Sequence, residues 1–172
     1  MDFSILYAIQ SIRCAWLDTF KLIVTKVAGN NGELWIVLGI ILLAFRKTRR
    51  TGIVILMSYI LTYLIGQCGL KELIARPRPC HIDKTVKLLI KCPESYSCPS
   101  THSAWAFAGA TSVFMYHKKC GIFVAVISCI IAFSRMYMFV HFPTDVAFGA
   151  IIGILCGLLA WFVVNKISTM KK

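Results

Sequence analysis

Five apolar runs, separated by charged or proline-containing joints, constrain this chain more than any other feature: about 33–46, 51–69, 99–116, 120–140 and 143–165. A helix needs roughly 20 apolar residues to cross a bilayer, and most of these runs approach that length. With 58% hydrophobic residues and a mean hydropathy of +0.75 over 172 residues, the chain is too oily for an ordinary soluble domain. The expected fold is an all-α integral membrane protein, a single domain over 1–172 built as a helical bundle of about five transmembrane helices. The shortest run, 33–46, requires Glu33 and Arg46 to sit at opposite interfaces.

Residues 1–28 read differently from the helical core over 29–172. Ser4, Ser11, Asp18 and Thr25 recur at a seven-residue spacing that keeps them on one helical face. Ile5, Ile9, Ile12, Trp16, Phe20, Ile23 and Val27 occupy much of the rest. The charges of Asp2, Arg13, Asp18, Lys21 and Lys26 are costly in hydrocarbon, so an amphipathic helix at the interface is favoured over a sixth span. Gly29-Asn30-Asn31-Gly32 ends it as a turn. The opening MDFSILYAIQ has no basic leader and no small-residue cleavage site, so no cleavable signal peptide is read.

A formal charge of +12 would suit a nucleic-acid partner, but the cations gather at the ends of apolar runs and form no stripe interleaved with aromatics, so none is expected. Arg46, Lys47, Arg49, Arg50, Lys118, Lys119, Lys166, Lys171 and Lys172 all fall on one side of five alternating spans, and no Asp or Glu joins them. The positive-inside rule makes that side cytoplasmic and the opposite side exterior. To the exterior fall Lys71, Arg76, Arg78, His81, His102, Arg135, His141 and Asp145. Eight cysteines show neither a CxxC pair nor zinc-type spacing with histidine, so no metal framework is expected. Cys80, Cys92 and Cys98 share the exterior loop, where any of three pairings, or three free thiols, is open. Lys84, Lys87 and Lys91 read as a solvated or headgroup-facing edge of that loop.

Three exterior segments carry chemistry. In Lys71-Glu-Leu-Ile-Ala-Arg76-Pro77-Arg78-Pro79, lysine offers a mobile point charge and arginine a planar fork suited to phosphate oxygens, on a backbone stiffened by proline; the same cations would also serve as snorkelling anchors. In Pro99-Ser100-Thr101-His102, at a helix start, free backbone N–H groups of Ser100 and Thr101 face outward toward an anion, and His102 can supply a proton. In Ser134 to Asp145, Arg135 needs an anionic partner, and Asp145, four residues after His141, can orient its ring. The alternative for this last segment is a network that pins two helices together.

In order, these segments read KxxxxxxRP from Lys71 to Pro79, PSxH from Pro99 to His102 and SRxxxxxHxxxD from Ser134 to Asp145. The arrangement closely resembles the type 2 phosphatidic acid phosphatase family, whose core is shared with vanadium haloperoxidases, over roughly residues 30 to 165. Thr101 stands where the family often has glycine, and its backbone N–H is retained. The resemblance implies that His141 is the nucleophile and forms a phosphohistidine, that Asp145 orients it, and that His102 is the general acid. It also implies that Lys71, Arg78, Ser100, the Thr101 backbone and Arg135 hold the phosphoryl oxygens. Phosphoryl transfer depends mainly on positioning and charge stabilisation, so these cations take the role a metal would have and no cofactor is expected.

A site at the membrane surface suits a lipid phosphate or diphosphate whose tail stays among the membrane lipids. Among family substrates, undecaprenyl diphosphate at the exterior face of the cell membrane fits best, with phosphatidylglycerol phosphate, phosphatidic acid and a lipid A phosphate open. A non-catalytic lipid-phosphate binder or a small transporter is the reading of another class. A transporter would place polar residues deep within its spans, whereas here they gather at one interface.

Overall fold

The computed structural model describes residues 1–29 and 31–170; Asn30 of the expected turn and Lys171 and Lys172 of the cationic tail lie outside the described residues. The chain forms helices α1 (Asp2–Ser11), α2 (Ala15–Ala28), α3 (Glu33–Ala44) and α4 (Arg49–Thr62). Helix α4 continues through a π-helical segment, Tyr63–Leu70, into α5 (Lys71–Ile74). Beyond it lie α6 (Pro79–Ile82), α7 (Thr101–Tyr116), α8 (Lys118–Tyr137) and α9 (Pro143–Met170), and no strand occurs among the described residues. Proline opens both α6 and α9, where its missing N–H costs nothing.

Helix α7 is the centre of the bundle, packed most extensively against α9 and α8 and also against α4. Its inner surface is built of small residues, Ala104, Ala106, Ala108, Gly109 and Ala110, all buried. Helix α9 meets it through Gly149, Gly153 and Gly157. A Cβ at Gly149 would lie 2.4 Å from the Ser100 carbonyl oxygen, and one at Gly153 would lie 2.1 Å from that of Ala104. The two backbones therefore touch. In lipid, where apolar burial between helices brings little, close approach of small residues is what holds helices together.

Among the described residues, three helices are long and apolar enough to cross a membrane, Arg49–Ile82, Lys118–Tyr137 and Pro143–Ile167, and α2 with α3, bent by 51°, would make a fourth. Each of the five expected apolar runs forms a helix: α3, α4 with its π-helical continuation, α7, α8 and α9. Helix α7, at 16 residues, is shorter than a full span, and as the enclosed helix it meets protein more than lipid.

The N-terminal segment departs from the expected single helix over 1–28. It breaks between Ser11 and Ala15; of its polar stripe Asp18 and Thr25 face protein, while Ser4 and Ser11 are exposed. Tyr137 donates from its hydroxyl to Asp18 at 2.6 Å, and Arg135 donates to the hydroxyl of Thr25. Trp16, Phe20, Ile23 and Val27 form the exposed surface. The helix order puts the cationic joints at Arg46–Arg50 and Lys118–Lys119, and Lys166, at the end of the bundle opposite the cavity lined by His102 and His141.

Candidate functional site

A cavity of about 530 Å³ opens at the bundle end where α5, α7, α8 and the 137–142 turn converge. Lys71, Arg78, Thr101, His102, Arg135 and His141 line it, so the structure brings together six of the eight residues singled out from sequence. Each arrives by a local device. The wider turn of the π-helical segment rotates the residues on its C-terminal side, and Tyr63, Gln67 and Lys71 all reach the cavity wall. Arg78 sits in extended backbone between two prolines. His102 lies in the first turn of α7 and Arg135 in the last turn of α8. His141 comes two residues after Phe139, whose φ of +59° is a strained left-handed conformation for a bulky residue. Packing compensates that strain: Phe139 is fully buried in a cluster with Leu6, Met138, Val140 and Phe142.

Lys71, Arg78 and Arg135 are each only 3% exposed, and among the described residues none of them forms an ion pair. Arg78 donates to the carbonyl and hydroxyl oxygens of Ser95 at 2.7 and 3.0 Å and to the carbonyl of Val140 at 2.9 Å. Arg135 contacts Thr25, Ser134 and the Met138 sulfur. Three buried cations facing one cavity without a carboxylate partner are unfavourable unless an anion completes the site.

The histidine geometry fixes proton positions through its partners. His141 Nδ1 lies 2.7 Å from the Ser97 carbonyl oxygen, which can only accept, and Nε2 lies 3.1 Å from Arg78 Nη1, which can only donate. Neutral His141 therefore carries its proton on Nδ1 and its lone pair on Nε2. Burial pushes its pKa down to about 3; Asp145 opposes this, and Arg78 and Lys71 reinforce it. His102 directs Nε2 at the Gly29 carbonyl, 3.0 Å away, and packs edge-on to Trp105. Since that carbonyl only accepts, Nδ1 is the nitrogen left to exchange a proton.

Two of the eight residues, Asp145 and Ser100, are not in the cavity lining. Asp145 Oδ2 is 3.9 Å from His141 Nδ1, too far for a hydrogen bond, because its oxygens are taken by the Ser97 hydroxyl, the Phe142 amide at 2.9 Å and Arg76 at 2.6 Å. The Ser100 amide is not free: it donates to the Asp145 main-chain carbonyl at 3.1 Å, and the residue is fully buried behind the wall. Thr101, by contrast, does reach the cavity.

Sequence reasoning did not name Ser97, and it named Arg76 and Thr25 without giving them a place at the site. Arg76 had a signal in the repeated Arg-Pro of Arg76-Pro77-Arg78-Pro79, and Thr25 belonged to the polar stripe assigned to water. Ser97 had none, since its carbonyl is what matters. Of the three open pairings, Cys80–Cys92 forms, and Cys98 remains a buried thiol. The bridge ties α6 to the stretch Ile90–Ser95, which rims the cavity and brings Lys91 to it.

A family model described as the PAP2 superfamily matches residues 51–168. The undecaprenyl-diphosphatase of Sulfolobus acidocaldarius is 31% identical over 150 residues, 80% of this chain and 72% of that protein. The crystal structure of a transmembrane PAP2 type phosphatidylglycerolphosphate phosphatase from Bacillus subtilis superposes with a TM-score of 0.78 at 30% identity, over 96% of this chain and 85% of that one. Aquifex aeolicus LpxE superposes with a TM-score of 0.75 at 28% identity, over 92% and 93%.

Proposed function

Because this chain belongs to the PAP2 superfamily and is a membrane lipid phosphatase, we propose that it hydrolyses undecaprenyl diphosphate to undecaprenyl phosphate and inorganic phosphate at the exterior membrane face. The observation that carries the reading is the trio Lys71, Arg78 and Arg135, buried around one cavity and paired with no carboxylate among the described residues. The terminal phosphoryl group supplies the missing charge, held by these cations and the Thr101 amide at the start of α7. Ser100 and Asp145 act from behind the wall by holding the segments in place.

His141 Nε2 attacks the terminal phosphorus. A P–N bond forms, the bridging P–O bond breaks, and its electron pair leaves with the lipid monophosphate, protonated from His102. Water then attacks the phosphohistidine, giving its proton to His102; the P–N bond breaks and Nε2 recovers its lone pair. Two histidines with opposite protonation requirements give a bell-shaped pH profile.

The diphosphate is favoured over a monoester because the Sulfolobus relative is an undecaprenyl-diphosphatase. The exterior orientation is supported by the cationic joints at the opposite end of the bundle. Phosphate release from a panel of purified lipid phosphates and diphosphates tests the reading. Undecaprenyl diphosphate should be cleaved with the highest kcat/KM, vanadate should inhibit, and EDTA should have no effect. His141→Ala should insert normally and release no phosphate; full activity in that variant would sink the assignment. Binding without turnover across the panel would favour the lipid-phosphate binder instead.

A further inference from the structure

Behind the cavity wall, the orientation of His141 is traceable to one residue that touches neither the cavity nor the ring. Arg76 Nη1 donates to Asp145 Oδ1 at 2.6 Å and to Thr144 Oγ1 at 2.7 Å, while Nη2 donates to Asp2 Oδ2 at 2.8 Å. Thr144 in turn donates to Asp2 at 2.6 Å, and the guanidinium lies over the Phe142 ring, 4.0 Å from its centroid. The main chain of Arg76 is engaged as well: its carbonyl accepts the Ser97 N–H at 2.8 Å. Ser97 is the residue whose carbonyl holds His141 Nδ1 and whose hydroxyl holds Asp145.

We propose that Arg76 is a positioning residue for the nucleophile, acting through Asp145 and Ser97, and that Asp2 at the start of α1 is the carboxylate that holds Arg76 in place. The proposal rests on the reading of His141 as nucleophile. Asp145 is fully buried, and Arg76 is the cation paired with it at hydrogen-bond distance. Without that cation Asp145 Oδ1 is left buried without its charged partner, and a carboxylate released on that side can turn toward His141 Nδ1, 3.9 Å from Oδ2, and pull the ring off the Ser97 carbonyl. Nε2 then no longer faces the phosphorus. The role needs arginine because three acceptors on two sides must be met at once by a planar fork, which a lysine ammonium cannot do.

Helix α1 is thereby part of the catalytic support. Phe3 packs edge-on to Phe142 at 5.1 Å, Gln10 donates to the Tyr137 carbonyl at 3.0 Å, and Asp2 ends the clamp on Arg76. A second, open cavity lined by Asp2, Phe3, Arg76 and Phe142 leaves the guanidinium reachable from outside, with its side chain 31% exposed.

The test uses the full-length protein in detergent micelles with farnesyl diphosphate, reading kcat and KM separately. Arg76→Ala should lower kcat about 100-fold, the scale expected from a displaced reacting atom. Its KM should change by less than about threefold, because no phosphate contact is lost. Millimolar guanidinium should restore much of the lost kcat in Arg76→Ala and leave the parent enzyme unchanged, which a merely structural role would not allow. Arg76→Lys should recover little. Asp2→Asn, which keeps the arginine, should lower kcat about tenfold. A kcat for Arg76→Ala within about twofold of the parent, or a loss that guanidinium does not relieve, overturns the proposal. If Arg76→Ala does not fold, an unchanged kcat in Asp2→Asn overturns it. His141→Ala run in parallel separates the two readings: activity there removes the nucleophile assignment itself, whereas an inactive His141→Ala beside a fully active Arg76→Ala removes only the role of Arg76.

Discussion

His141 Nδ1 stands 2.7 Å from the main-chain carbonyl oxygen of Ser97, and this contact orients the ring from one side as Arg78 Nη1, 3.1 Å from Nε2, does from the other. Asp145 acts one step back, gripping the Ser97 hydroxyl and the Phe142 amide. Ser97→Ala keeps the carbonyl and loses only the grip, so kcat should fall about tenfold, whereas Asp145→Asn should cost about 100-fold. Steady-state kcat and KM for both variants check this; a larger loss in Ser97→Ala than in Asp145→Asn would contradict the order of the chain.

The depressed pKa of His141 has a sign that can be measured. Between about 3, its value in the folded protein, and 6.5, its ordinary value, the unfolded chain binds the proton and the folded one does not. Stability should therefore rise with pH through that window and show no further contribution from His141 above it. Thermal unfolding midpoints in detergent should show the slope, and His141→Gln should flatten it. An unchanged slope in the variant would mean that the imidazole is not held neutral.

The demand on His102 depends on what leaves. A phosphate leaves with less help than an alkoxide, so His102→Ala should reduce monoester hydrolysis far more than diphosphate hydrolysis. Comparing phosphatidic acid with undecaprenyl diphosphate at saturating concentration reads the difference, and equal losses would count against proton donation to the leaving oxygen.

The Cys80–Cys92 bridge closes a short loop that carries part of the cavity rim. Cys80→Ser should lower stability by about 3 kcal/mol on the chain-entropy scale for such a loop. It should also raise KM more than it lowers kcat, since His102 and His141, the two histidines of the proposed mechanism, lie on other segments. Unfolding curves with and without reductant test this: reductant should lower the midpoint of the parent protein to that of the variant and leave the variant unmoved.

Much of the site was legible because phosphoryl chemistry needs unusual residues in an oily chain. Lys71, Arg78, His102, Arg135 and His141 stood out by their cost at the edge of apolar runs, and the structure gathers them at one cavity. Partners that act through the backbone or across long separations were not legible. Ser97 works through its carbonyl, which every residue has. Asp2 reaches Arg76 and Thr25 reaches Arg135 only after the helices dock. The amphipathic pattern of residues 15–28 was real, but in a membrane protein an apolar face can look outward to lipid while the polar face packs inward.

By itself the sequence determined that the chain lives in a membrane, which end of the bundle carries the cations that an anion must complete, and which histidines stand there. Those conclusions rest on composition and local spacing, where the cost of burying charge is the same in any fold. Tertiary structure alone decided that Asp145 meets the Ser97 hydroxyl and Ser97 the His141 ring, that Arg76 joins Asp145 to helix α1, and that α7 is enclosed by protein. These depend on distances between segments far apart in the chain. Hydrogen-bond geometry distinguishes 2.7 Å from 3.9 Å, and spacing along a sequence does not.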